Sequence, residues 1–169
     1  MKRTISTDDA PEAVGAYSQA TTDGSTLYTA GQIPLTPDGD LYADADIATQ
    51  TELALDNIMA ILAAEDLAAE HILKTTVFLA DIDDFDAMNE TYETYFAAAP
   101  PARSAVEAGA LPKDVGVEIE AGATYPEAWA HVAHRACCGG SSAGCCFFSS
   151  PWATVLPAGC WRVAAGGSP

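Results

Sequence analysis

Residues 72–96 read ILKTTVFLADIDDFDAMNETYETYF, and this stretch decides the fold class. Ile72 to Leu79 is rich in β-branched and apolar side chains and predicts a strand. Its apolar residues fall on both faces, as in a strand covered on both sides. From about Asp84 to Ala97 the spacing changes. Phe85, Met88, Tyr92, Tyr95 and Phe96 share one helical stripe, and Pro100 and Pro101 stop the helix. The stripe is expected to be core, with no cofactor role.

Upstream, Asp44 to Leu62 predicts a first helix, with Ile47, Thr51, Leu55, Ile58 and Leu62 at three- and four-residue steps. Asp44 or Asp46 can cap its start. Residues 3–7 and 26–33 read as strands, the second closed by Pro34 and a Thr-Pro-Asp-Gly turn at 36–39. Downstream, ARSAVEA (102–108) and GVEIEAGAT (116–124) read as two more strands, joined by the loop around Leu111, Pro112, Lys113 and Asp114. The order β, β, helix, β, helix, β, β predicts an α+β fold with two helices on one face of a mixed sheet.

A chain of 169 residues suits one domain with a real core. No stretch approaches the roughly 18 apolar residues of a membrane span, so no membrane partner is expected. The start, MKRTISTDDAPEAVG, turns acidic before any apolar run, unlike a secretory signal; a cytoplasmic location is expected. There are 24 Asp and Glu against 7 Lys and Arg, a formal charge of -17. Such a surface repels phosphate backbones, which argues against nucleic acid as a partner. Scarce Lys, many Asp and abundant Ala fit a salt-adapted (halophilic) protein, because salt screens the self-repulsion.

Composition breaks near Glu127. All 24 acidic residues lie at or before it, and all five Cys (Cys137, Cys138, Cys145, Cys146, Cys160) and all three Trp lie after it. The adjacent Cys pairs lack the C-x2-C spacing that places two thiolates on one metal, so no metal site is assigned. Five is an odd count for a disulfide framework. Residues 1–124 therefore read as the functional domain. Residues 125–169 read as an atypical Cys/Gly/Ala-rich tail, non-native or disordered, with no function assigned.

Few residues of the body can do chemistry. It holds no Cys, and its one histidine, His71, sits at a helix–strand junction as a surface or capping residue. There is no P-loop, no G-x-G-x-x-G and no serine elbow. What remains is Arg103, in PPARSAVE, with Glu118 and Glu120, in VEIEA. Period two puts Glu118 and Glu120 on one strand face. If the two strands pair, an Arg fork able to grip a carboxylate and a Glu able to orient or deprotonate water can face one cleft. A plain Arg–Glu ion pair tying two strands together explains the same pattern.

Six segments in order resemble the RidA/YjgF family from about Lys2 to Ala123. They are APEAVGAYSQA (10–20), TAGQIP (29–34), LDNIMAILAA (55–64), KTTVFLADIDDFDAMNETYETYF (74–96), PPARSAVE (100–107) and LPKDVGVEIEA (111–121). The resemblance implies a chorismate-mutase-like α+β subunit and a homotrimer in which three sheets surround a central barrel, with active sites in the clefts between subunits. It implies hydrolytic deamination of small reactive 2-imino acids, such as 2-iminobutanoate and 2-iminopropanoate, to 2-keto acids and ammonia, without cofactor. By resemblance, Arg103 binds the substrate carboxylate and Glu118 positions the attacking water. Tyr17 and Asn89, with backbone groups near Gly31, match positions lining the cleft from the adjacent subunit. Ala30 and Ala105 stand where some members have Ser and Cys, which bears on substrate preference. Asp66 replaces a frequent helix-ending Gly. A non-catalytic or chaperone-like trimer that binds small carboxylates is the alternative. The RNA-cleaving or translation-inhibiting activity attributed to some relatives is disfavoured by the acidic body.

Overall fold

A computed structural model of the chain describes residues 1–126; the tail's cysteines and the expectations attached to them lie outside the described residues. The elements are β1 (Arg3–Ile5), β2 (Ala20–Thr22), β3 (Thr26–Thr29), α1 (Ile47–Ala63), β4 (Ile72–Leu79), α2 (Phe85–Tyr95), β5 (Ala102–Glu107) and β6 (Val117–Thr124). They form one six-stranded sheet in the order β1-β2-β3-β6-β4-β5. All neighbours are antiparallel except β4 and β5, which run parallel at one edge. A parallel pair needs a crossover, and α2 supplies it.

The expected α+β class holds, with both helices on one face. Strand β6 alternates Val117, Ile119, Ala121 and Ala123, all buried, with Glu118, Glu120, Gly122 and Thr124, half-buried on the other side. The buried set meets Leu55, Ile58, Ile61 and Leu62 of α1 and Met88, Tyr92 and Phe96 of the second helical stripe in one core. The opposite, open face of the sheet leaves Tyr28 63% and Val106 44% exposed.

Helix α1 starts where a capping side chain allows it. Of the two expected caps Asp46 is used; its carboxylate accepts from the Thr49 backbone N–H at 2.9 Å. Past the other end, Asp66 takes the left-handed conformation, φ +56°, that the frequent Gly would adopt without strain. His71 caps the turn before β4, its Nδ1 accepting from the Ala68 N–H at 3.0 Å.

Two expectations change. Strand β2 was not anticipated, although Asp23-Gly24 marks its hairpin with β3. Gly24 has φ +98°, and the Asp23 carboxylate accepts from the Ser25 and Thr26 backbone N–H groups. Those backbone bonds hold the Asp23 carboxyl low, at about 2. The stretch expected as a strand to residue 33 leaves the ladder after Thr29 and rejoins β6 at an isolated bridge between Gln32 and Ile119. The Tyr125 hydroxyl donates to Glu65 Oε2 at 2.8 Å, beside the Arg3–Glu65 ion pair. No helix among the described residues is long and apolar enough to cross a membrane.

Candidate active site

The strands carrying Arg103 and Glu118 do not pair. Strand β4 lies between β5 and β6, putting the two residues' strands roughly 10 Å apart. Arg103 is opposite Thr75, and Thr75 is opposite Ala121, so these three side chains share a face. Thr75 is hydrogen-bonded to Tyr92 of α2 at 2.7 Å, which identifies that face as the helix-covered one. Glu118 is opposite Phe78, three residues from Thr75, and projects from the open face. A single subunit therefore does not bring Arg103 and Glu118 into one cleft. The strand-tying ion pair is also excluded, since the one ion pair among the described residues is Arg3–Glu65.

Each residue nevertheless has a built environment. The Arg103 guanidinium carbon lies 4.5 Å from the Tyr92 ring centroid and 5.3 Å from that of Phe85. Such contacts hold a cation against an apolar wall without neutralising it. Its Nη2 donates to Asn89 Oδ1 at 2.7 Å. Arg103, Asn89, Tyr92, Phe96, Pro100 and Pro101 line a cleft of about 570 Å³. The aromatic stripe is core, as expected, for Met88, Tyr92 and Phe96. The sequence reading missed its second use, in which Phe85 and Tyr92 also seat the arginine. Their place on the same stripe as Asn89, within one turn, was the available signal.

On the open face, Glu118 packs against Gly31. A Cβ at Gly31 would collide with the Glu118 carboxylate, so a larger residue there would displace that side chain from its present position. The approach is fixed by the bridge next door, where Gln32 and Ile119 exchange backbone hydrogen bonds of 2.7 and 2.9 Å. Burial, then repulsion from Glu120 two residues along the same face, pushes the Glu118 carboxyl above its ordinary range. Tyr17 is 56% exposed and shares a surface cleft with Ala30, next to Gly31.

Of the five expected residues, Asn89 contacts Arg103 and Gly31 contacts Glu118, while Tyr17 lines a separate surface cleft that reaches Ala30. Asn89 was expected on the far wall with Tyr17 and Gly31. It is instead bonded to Arg103 of its own chain, because α2 is the crossover that delivers β5. Among the described residues, no three His, Cys, Asp or Glu side chains are gathered to hold a metal ion.

These features define an α+β protein with an arginine that has no carboxylate partner among the described residues at one sheet edge and a glutamate of raised basicity on the open face. The comparisons specify the family. Residues 7–125 match the family described as Endoribonuclease L-PSP, and the chain belongs to that RidA/YjgF family. A RutC family protein of Pyrococcus horikoshii is 48% identical over 121 residues, 72% of this chain and 96% of its own length. The 2-iminobutanoate/2-iminopropanoate deaminase of Escherichia coli is 47% identical over 125 residues, again 72% and 96%. The crystal structure of E. coli TdcF with bound serine superposes with a TM-score of 0.69 at 42% identity, covering 73% of this chain and 98% of that one.

Proposed function

We propose that the protein hydrolyses small 2-imino acids to 2-keto acids and ammonia, in a homotrimer whose sites combine Arg103 of one copy with Glu118 of the next. The observation that carries this reading is the state of Arg103. Its cation is seated on two rings and steadied by a neutral amide, without a carboxylate partner among the described residues. That arrangement keeps an N–H fork free for a carboxylate brought by the substrate. The names of close relatives supply the reaction, and the serine bound in TdcF offers the same carboxylate handle.

In the proposed mechanism Arg103 grips the carboxylate and thereby places the adjacent C=N carbon. Glu118, made more basic by burial and by Glu120, accepts a proton from water as the water oxygen bonds to that carbon. Glu118 returns its proton to the nitrogen, and the C–N bond of the carbinolamine breaks as its hydroxyl proton passes to the leaving nitrogen, releasing ammonia and the 2-keto acid. Imines hydrolyse readily in water, so positioning with one general base, worth roughly 10²–10⁴-fold, is sufficient. The geometry supports a trimer because Arg103 and Glu118 lie on opposite sheet faces and the open face exposes Tyr28 and Val106.

The test is hydrolysis of 2-iminobutanoate generated in situ from threonine by a salt-tolerant dehydratase. Wild-type protein is expected to accelerate ammonia release, and Arg103→Ala to abolish the acceleration. A trimer of wild-type protein that binds 2-oxobutanoate but leaves the imine at its uncatalysed rate would point to a carboxylate-binding module instead.

A further inference from the structure

Arg103 is held by a relay that reaches one residue further than the site described so far. Nη2 of Arg103 donates to Asn89 Oδ1 at 2.7 Å, and Asn89 Nδ2 donates to Glu93 Oε1, also at 2.7 Å. This two-bond chain has only one chemically consistent polarity. A guanidinium only donates, an ionised carboxylate only accepts, and a carboxamide does both. Glu93 therefore turns the amide so that its oxygen, not its NH2 group, faces Arg103. Residues 89 and 93 are four apart on α2, the spacing at which helical side chains meet.

The aromatic contacts do not make this bond redundant. Phe85 and Tyr92 set the depth of the guanidinium, but a ring face carries no directional donor or acceptor that would fix rotation within the guanidinium plane. Rotation in that plane decides where the remaining N–H fork points. Asn89 supplies the directional bond, and Glu93 fixes Asn89. Glu93 also lines the Arg103 cleft while remaining exposed, with no other side-chain hydrogen bond among the described residues.

We infer that Glu93 is a positioning residue for carboxylate capture, acting through the Asn89 amide on the rotation of Arg103. The inference rests on the reading of Arg103 as the carboxylate anchor. An amide released from Glu93 samples both orientations, and one of them sets its NH2 group against the arginine donors. The expected cost is in substrate binding, not in the chemical step, because the attacking water is handled on the other face.

The experiment compares wild type, Glu93→Ala and Glu93→Gln. KM and kcat are measured with 2-iminobutanoate, and the Kd of the product, 2-oxobutanoate, is measured by calorimetry. Glu93→Ala is expected to raise both KM and Kd roughly three- to tenfold, the scale of one lost hydrogen bond, with kcat within about twofold. Glu93→Gln keeps an acceptor for the Asn89 NH2 group and is expected to bind like wild type. Unchanged binding in the alanine variant overturns the relay, as does a glutamine variant as weak as the alanine one. A wild type that binds 2-oxobutanoate but does not hydrolyse the imine refutes the deaminase reading alone, and the Kd order still decides the relay. A wild type that binds no 2-oxo acid overturns both.

Discussion

Glu118 and Glu120 stand two residues apart on one strand face, and their proximity has consequences for activity and for stability that run in opposite directions. A base must be ionised to work, so kcat/KM is expected to fall as pH drops through the Glu118 pKa. Burial and Glu120 raise that pKa, so the acid limb should lie above the ordinary glutamate value of about 4.3. Glu120→Gln removes the repulsion but not the burial, and should move the limb part of the way down. Stability follows from the same shift. A carboxyl whose folded pKa is raised favours the folded state below its unfolded pKa and loses that contribution as pH rises through the folded one. At neutral pH the Glu118 charge is therefore a burden on the fold. Glu118→Gln should lose activity yet melt at a higher temperature than wild type at pH 7, with the difference gone near pH 3. An equal or lower Tm at pH 7 would remove the physical basis assigned to the base. Asp66 offers a simpler case. At φ +56° it pays a steric cost that glycine does not. Asp66→Gly is expected to stabilise the protein by about 0.5–1 kcal/mol after the extra unfolded-state entropy of glycine is deducted, as read by urea denaturation.

The elements with a strong period were legible in the sequence, and those defined by partners were not. Helices α1 and α2 follow their apolar stripes to within three residues at each end, and β4 and β6 follow their apolar runs. Strand β2 has three residues, too few for a period, and only the Asp23-Gly24 turn beside it marks it in the sequence. The expected cleft between β5 and β6 failed for a topological reason. Arg103 and Glu118 share a cleft within one chain only if β5 and β6 pair, whereas the crossover through α2 lays β5 beside β4 and leaves β4 between them. Polar organisers were invisible for another reason, because their partners are carbonyls that only the fold assembles. Gln19 is the clearest. It is 4% exposed, its Nε2 donates to the carbonyls of Thr7, Ala10 and Pro11, and its Oε1 accepts from the Thr7 N–H. Its own carbonyl accepts from the Ala30 N–H at 2.8 Å, tying the segment of Tyr17 to the strand end before Gly31. Gln19→Ala strands several buried polar groups and should cost about 2–3 kcal/mol. Hydrogen exchange should show the loss concentrated in residues 7–19, with the helices still protected; uniform loss of protection would mean that the loop is not an independent unit.

At the scale of the whole molecule, charge and symmetry make separate demands. The formal charge is -17, and one ion pair joins the described residues, so most carboxylates repel one another through solvent. Raising KCl from 0.1 M to 1 M shortens the screening length from about 10 Å to about 3 Å. It should raise Tm, by more than it does in a variant with several surface Asp replaced by Asn; salt-indifferent melting would end the salt-adaptation reading. Symmetry gives the sharper test. Arg103 and Glu118 leave opposite faces of one sheet, so a site containing both must draw them from two chains. In the proposed homotrimer, Arg103→Ala and Glu118→Gln should each abolish activity. In trimers reassembled from an equal mixture, an intact site forms wherever the Arg of a Glu118→Gln copy meets the Glu of an Arg103→Ala copy. Random mixing places that pair at about one interface in four. Co-refolded or co-expressed mixtures should recover about a quarter of wild-type activity, while the same proteins mixed without subunit exchange recover none. If the mixture stays dead although native mass spectrometry shows mixed trimers, the two residues serve different sites, and Arg103 must then bind its carboxylate beside groups of its own chain.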